Sequence, residues 1–403
     1  MSTPETPSSE VSETAQNETA PRNGVGTTVI AAVAALAIGS IGGWVVANSS
    51  GSDSADETAA SEQTEQADAD SEATQADTTT AQTVTTSFAV GESRGFEDAH
   101  QGGADDISNV LVSTDWLAEQ IDGGLEENNI VLIDVSEELA SSELTKYPDG
   151  HIPGAQYVDW STEFVQANTR EFITAEEFTE LAQGIGLDDD STLVIYGDNN
   201  NWFAAYAAWV FKLYGFEDVR LLDGGLKKWE QVDSRELTQD VPERAQGNWV
   251  ASTQNFDIRS FQPEVLDVAN GDVDANLIDI RFPDEYNGEV GVNIEIFDGE
   301  GAAIWGHIPG AVNVPWGEIV NEDGTYKSAD EIREIYVEAG VDFDKPIITY
   351  CRIGERASHT WYALSQILEA DVTVYDGSWS EWGNTVGVPV QNNTDERGGV
   401  WGG

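Results

Sequence analysis

Ile347-Ile348-Thr349-Tyr350-Cys351-Arg352-Ile353-Gly354-Glu355-Arg356-Ala357-Ser358-His359-Thr360-Trp361 holds the only cysteine in a chain of 403 residues. An apolar, β-prone run, Ile347 to Tyr350, delivers that cysteine. A short loop with Gly354 and two arginines follows, and a helical pattern then runs from Ala357 to Leu368. A thiol at a strand end, in a turn that opens a helix, has its sulfur aimed at backbone N–H groups and at the positive end of the helix dipole. That setting favours the thiolate. Arg352 and Arg356 add positive charge that attracts an anionic substrate. A lone cysteine is otherwise a small buried hydrophobe. Here the arginines and the glycine mark it for chemistry.

The same pattern occurs twice. Val131-Leu132-Ile133-Asp134 recurs as Asn276-Leu277-Ile278-Asp279, and Gly150-His151-Ile152-Pro153-Gly154-Ala155 recurs from Gly306. Leu193-Val194-Ile195-Tyr196 recurs as Ile347–Tyr350, and Asp223-Gly224-Gly225 with Trp229 recurs as Asp376-Gly377-Ser378 with Trp382. The copies are 145, 156, 154 and 153 positions apart, a period that means two whole domains with loop insertions, since solenoid repeats are far shorter. In the first copy 129–135 and 191–196 read as buried strands, and 175–184 and 203–214 as helices. Buried β-runs alternating with amphipathic helices predict an α/β fold with a parallel sheet covered on both faces. Sites in such sheets form at the carboxyl ends of strands, and Tyr350-Cys351 is one. Aligned through Tyr196 and Tyr350, Gly197 faces Cys351, Asp198 faces Arg352 and Trp202 faces Arg356. The first copy therefore has no nucleophile and reads as structural. His151 and His307 lie in matching turns of both copies, one with the thiol and one without, and read as loop-positioning residues.

The Cys351–Trp361 stretch resembles the active-site loop of prokaryotic thiosulfate sulfurtransferases, the tandem-domain rhodaneses. The resemblance covers roughly residues 105 to 392. It also rests on His151-Ile152-Pro153-Gly154-Ala155, Leu221-Leu222-Asp223-Gly224-Gly225, His307-Ile308-Pro309-Gly310-Ala311 and Tyr375-Asp376-Gly377-Ser378-Trp379. It implies two rhodanese-like domains, an inactive one over 105–245 and a catalytic one over 258–392, each a mostly parallel sheet with helices on both faces. It also implies an enzyme that moves sulfane sulfur from thiosulfate to a thiophilic acceptor, cyanide or a thiol, through a persulfide on Cys351, with no cofactor. Arg352, Ile353, Gly354, Glu355 and Arg356 become the implied substrate-binding loop. Its backbone N–H groups would stabilise the persulfide, and its arginines would hold the sulfonate oxygens. Glu355 is expected in an ion pair with one of the arginines or on a solvated rim.

The chain departs from the animal thiosulfate rhodaneses at Ile353, where their loop has a lysine, and at Glu285, where they have a second arginine. Arg281 is retained and reads as a structural ion-pairing residue. The Cys-Gly-Ser/Ala-Gly start of mercaptopyruvate sulfurtransferases is missing, which lowers that alternative. Cysteine phosphatases of related fold place the arginine after five intervening residues; here Arg356 follows four. A third alternative is a non-catalytic, tethered sulfur carrier or binding module.

Composition sets the surroundings. The 74 acidic and 18 basic side chains give a formal charge of −56. Residues 1–104 hold 16 acidic and two basic residues, net −14, which leaves −42 on the remainder. A globular region this acidic excludes nucleic acid as a partner. It predicts a high-salt organism, a haloarchaeon, because molar salt shortens the screening length to about 3 Å. An acidic surface for cation binding is the rival, and neither Asp-x-Asp-x-Asp-Gly loops nor Cys/His zinc spacing supports a metal site. One cysteine excludes an intramolecular disulfide and a resolving thiol, so sulfur must leave to an external acceptor.

After a tail over 1–24, residues 25–47 carry no charge, long enough to span a bilayer. Arg22 precedes this segment, and no basic residue follows until Arg94. The positive-inside rule then places the rest of the chain outside the cell. The alternative is a cleaved signal ending at Val45-Val46-Ala47 and a secreted product. Residues 48–104, rich in Ser, Thr, Ala, Gln, Asp and Glu, read as a disordered tether, and 393–403 as a tail. The chain is expected to be a monomer.

The charge predicts salt-dependent folding. Activity and near-UV circular dichroism should fall together as salt is lowered from molar to ~0.1 M, where the Debye length reaches about 10 Å. A protein equally folded in dilute neutral buffer would refute the halophilic reading.

Overall fold

The computed structural model describes residues 109–137, 144–292, 300–394 and 398–399. The 1–24 tail, the uncharged segment 25–47 and the tether 48–104 lie outside the described residues. Among those described, no helix is long and apolar enough to cross a membrane.

Two sheets of five strands follow one another along the chain. The first contains β1 (Leu111–Val112), β2 (Ile130–Asp134), β3 (Ala155–Tyr157), β4 (Thr192–Tyr196) and β5 (Val219–Leu222). Its helices are α1 (Thr114–Gly123), α2 (Trp160–Glu163), α3 (Ala175–Gly184), α4 (Trp202–Leu213) and α5 (Gly225–Lys227). The second contains β6 (Arg259–Ser260), β7 (Asn276–Asp279), β8 (Val312–Asn313), β9 (Ile347–Tyr350) and β10 (Val372–Tyr375). Its helices are α6 (Gln262–Ala269), α7 (Pro283–Asn287), α8 (Ala329–Glu338), α9 (Glu355–Trp361) and α10 (Ser378–Trp382). The spatial orders, β1-β5-β4-β2-β3 and β6-β10-β9-β7-β8, are one arrangement made twice. The ladders of both sheets are parallel.

Parallel strands need cover on both faces, and the alternation of side chains supplies it. Ile130 and Leu132 of β2 pack with Leu117 and Leu226 on one side. Val131 and Ile133 pack with Phe178 and Trp209 on the other. α3 begins at a reciprocal cap: the Glu177 N–H donates to the Thr174 hydroxyl at 3.2 Å, and the Thr174 N–H donates to the Glu177 carboxylate at 2.8 Å. Its inward residue Phe178 stacks on Tyr214 at 4.2 Å. Ser328 and Glu331 start α8 in the same way.

α4 is apolar nearly all round, which is the pattern of a buried helix. It packs against α9 of the second domain. One apolar cluster therefore runs through both domains, including Trp209 and Phe211 from the first and Trp361 and Tyr362 from the second. The Tyr362 hydroxyl donates to the Val110 carbonyl at 2.6 Å, beside the first strand of the other sheet.

Differences from the sequence expectations are local. The strand expected over 129–135 is one residue shorter at each end, because Asn129 takes a left-handed φ of 55°. The helix expected over 203–214 begins and ends one residue earlier. The helix expected from Ala357 starts at Glu355, and beyond Trp361 it continues as a wider π-helical stretch, Tyr362–Ile367. The earlier start matters, because it puts Glu355 and Arg356 inside a helical first turn.

Candidate active site

Cys351 follows β9 directly, and its main chain is tied to the turn after β10. Its N–H donates to Ser378 Oγ at 3.1 Å, and its carbonyl accepts the Trp379 N–H at 3.1 Å. The Arg352 carbonyl accepts the Ser380 N–H at 2.9 Å. The loop then turns on Gly354, at φ 108°, where an added β-carbon would lie 3.0 Å from Asp376 Cα. That turn brings the Gly354 N–H to Cys351 Sγ at 3.1 Å, as expected for a sulfur facing loop amides. Cys351 itself is buried.

Both loop arginines are engaged by carboxylates. Arg352 pairs with Glu300. Arg356 is buried and pairs with Glu285 of α7 at 3.3 Å, lying over the rings of Trp202 and Phe282. Burial pushes the Glu285 carboxyl up, but the charges of Arg356 and Arg281 outweigh it and hold the group below its usual range. Arg281 is a buried partner of Asp279 and also donates to the Gly306 carbonyl at 2.7 Å, as its structural reading requires. A small surface depression beside the loop is lined by Arg352, Arg281, Glu285, Glu300, Trp305 and Trp379, among others.

Glu355 corrects the expectation. It lies neither on a solvated rim nor in an ion pair with a loop arginine. It is buried in the first turn of α9, and burial pushes its carboxyl up to about 7 against the pull of Arg170. Among the described residues, no histidine is hydrogen-bonded to Cys351. Burial brings His359 down to about 3, and its ring stacks on Tyr326 at 4.5 Å. His307 stacks on Tyr286 at 3.7 Å, with Nδ1 2.8 Å from the Tyr286 carbonyl. His151 stacks on Tyr147 at 3.9 Å in the first domain.

The matching loop of the first domain is closed by its own side chains. Asn199, Asn200 and Asn201 all take left-handed φ values, which asparagine tolerates better than most residues. Asn201 accepts the Gly197 N–H at 3.1 Å and donates to the Leu222 carbonyl at 2.7 Å. Asp198 is buried and pairs with Lys146 at 3.6 Å. Sequence reasoning left Ser378, Glu300 and Arg170 without roles. Ser378 stood in a quoted motif, while the other two carry no local signal.

Fold and loop together define a tandem α/β protein in which one domain presents a thiol to loop amides and the other does not. Residues 114–232 and 262–385 each match the Rhodanese-like domain, and the chain belongs to that family. It is 48% identical over 288 residues to a putative thiosulfate sulfurtransferase of Saccharopolyspora erythraea, covering 71% of this chain and 98% of that protein. It is 44% identical over 284 residues to the sulfur carrier protein TtuD of Thermus thermophilus, covering 70% and 96%. Among solved structures it is similar to the 3-mercaptopyruvate sulfurtransferase SseA of Escherichia coli, at 32% identity and a TM-score of 0.56, covering 67% of this chain and 98% of that one.

Three carboxyls raised by burial contribute a pH dependence of one sign, opposite to that of Glu285, which its arginine partners hold low. Burial raises Glu355 to about 7, and Asp134 and Asp223 to about 6. Each folded value lies above the unfolded one, so the folded chain binds more protons between the two. Their contribution is most favourable below about pH 4 and declines as pH rises through about 7. Glu355→Gln should therefore stabilise the protein by about 1–3 kcal/mol at pH 8 and by little at pH 4.5. Denaturant unfolding at both pH values checks this, and an equal effect at both would show that Glu355 does not carry the proton.

Proposed function

We propose that this chain is a thiosulfate sulfurtransferase whose nucleophile is Cys351. The observation that carries the reading is the Gly354 N–H at 3.1 Å from Cys351 Sγ, at the start of a helix flanked by Arg352 and Arg356. The thiolate attacks the outer sulfur of thiosulfate. The sulfur–sulfur bond breaks, its electron pair leaves with sulfite, and Cys351 keeps the transferred sulfur as a persulfide. A thiophilic acceptor then attacks that outer sulfur: cyanide leaves as thiocyanate and the thiolate is restored. The Gly354 N–H, already at the sulfur, would stabilise the persulfide charge, with the other backbone N–H groups of the loop in support. Arg356 lies within electrostatic reach of Cys351. With Arg352 it supplies a positive field, moderated by the carboxylates that hold them. Glu355 is partly protonated near neutrality and so repels an anionic donor less than a solvated carboxylate would.

Two other readings have a relative each: transfer from 3-mercaptopyruvate, and sulfur carriage without turnover. The loop start Cys351-Arg352-Ile353-Gly354 favours thiosulfate over mercaptopyruvate. We also propose that the chain acts as a monomer, anchored by residues 25–47 with its two domains outside the cell, or secreted if that segment is removed. Arg22 before the span and the lack of any basic residue between it and Arg94 support this orientation.

In molar salt, thiosulfate should add one sulfur to the Cys351 peptide by mass spectrometry. Cyanide should then turn over faster than with mercaptopyruvate as donor. Turnover retained in Cys351→Ser would sink the assignment, and a persulfide that cyanide cannot discharge would favour the carrier. Protease added to intact cells in high salt should cut within 48–104 and release active enzyme. Protection until lysis would reverse the topology.

A further inference from the structure

The first domain reaches the Cys351 loop through a hairpin. Val165 and Phe172 form an antiparallel bridge, the Gln166 N–H donates to the Glu171 carbonyl at 2.9 Å, and Arg170 lies near the tip. Glu171 fixes the hairpin to the second domain. Its carboxylate pairs with Arg259 at 2.8 Å, and Arg259 pairs in turn with Asp376 at 3.1 Å. Arg259 lies between the rings of Phe172 and Phe261, at 4.9 and 4.8 Å. Beside this anchor, Arg170 donates to the Ile353 carbonyl within the cysteine loop and to Ser380 Oγ at 3.5 Å.

The three arginines that touch this loop differ in what holds them. Arg352 and Arg356 are matched by Glu300 and Glu285. Arg170 is exposed and rests on a carbonyl and a hydroxyl, both neutral acceptors. Among the described residues it has no carboxylate within ion-pair distance. A buried guanidinium already paired with a carboxylate gains little from a second anion, and parting the pair is unfavourable. Arg170 is within electrostatic reach of the buried Glu355 but forms no ion pair with it, so its exposed guanidinium can turn to an arriving anion without breaking a salt bridge, and its planar fork fits sulfonate or carboxylate oxygens. Of the three, Arg170 is the one whose hydrogen-bond partners carry no charge, and it sits on the loop that holds the buried Cys351.

We propose that Arg170, contributed by the domain without a thiol, is the guanidinium that receives the anionic group of the sulfur donor over the Cys351 loop, so that the donor is gripped between the two domains. This rests on the sulfurtransferase reading above. It gives the first domain a part in binding as well as in structure.

The test uses the full chain in molar salt, with Arg170→Ala and Arg170→Lys, and near-UV circular dichroism to show that each is folded. With thiosulfate and cyanide, Arg170→Ala should raise the KM for thiosulfate tenfold or more and change kcat less, and Arg170→Lys should recover part of the loss. A second measurement needs no turnover. Cys351 is alkylated with iodoacetate and with iodoacetamide, in each case by thiolate displacement of iodide. Arg170→Ala should slow the anionic reagent several-fold relative to the neutral one. A residue that merely clasps the domains would change both rates alike. An unchanged ratio of the two rates overturns the proposal, as does an unchanged KM. If the unaltered protein fails to use thiosulfate, the donor assignment falls, and the alkylation ratio still decides the role of Arg170.

Discussion

Cys351 owes its position to the turn that leaves the neighbouring strand. Ser378 takes its N–H, and Trp379 and Ser380 supply N–H groups to the carbonyls of Cys351 and Arg352. A parallel sheet makes this possible, because β9 and β10 end at the same edge and the two departing chains meet there. Gly354 then passes so close to Asp376 that an added β-carbon would crowd it at 3.0 Å, on a backbone φ of 108° that strains other residues. With its main chain held from outside, the loop turns the Gly354 N–H inward on sulfur. The ion pairs are built on that frame: Arg356 reaches Glu285 from α9, and Asp376 reaches Arg259 on β6.

The two domains show how one backbone plan carries or lacks this chemistry. Asp134 pairs in register with Tyr196, as Asp279 does with Tyr350. Two residues beyond Asp279, Arg281 meets its charge; two residues beyond Asp134 stands Ser136, and burial raises the carboxyl instead. In the first domain Asn201 occupies the Gly197 N–H and closes the loop on itself. In the second, Gly354 leaves its N–H for the thiol. The silent loop is therefore satisfied internally, and the other presents an unusual acceptor.

The sequence revealed what is local. The duplicated strands, the alternation with helices and the thiol at the end of β9 could all be read because each lies in a run of a few residues with its own periodicity. The partners of the loop arginines could not. Glu300 and Glu285 stand about 50 and 70 positions before them in the chain, and only the packing of α7 and the segment after it brings them in. Glu285 was visible as a departure from a family pattern, but not as the carboxylate that holds Arg356. Glu355 was misplaced because the apolar pattern begins at Ala357, whereas the helix begins at Glu355 and turns that side chain inward. Arg170 had no local mark at all, since its contact with Ile353 spans 183 positions.

The apolar cluster that runs from α4 into α9 has a bearing on the place of the first domain in the chain. A domain with no thiol at the matching strand end could pass for a spare copy. Here the helix that follows the thiol loop is roofed by the helix of the silent copy, so deletion would strip the cover from α9 and the frame around Cys351 with it. The copy without a thiol is therefore not redundant in the structure, because it covers the helix beside the copy that has one.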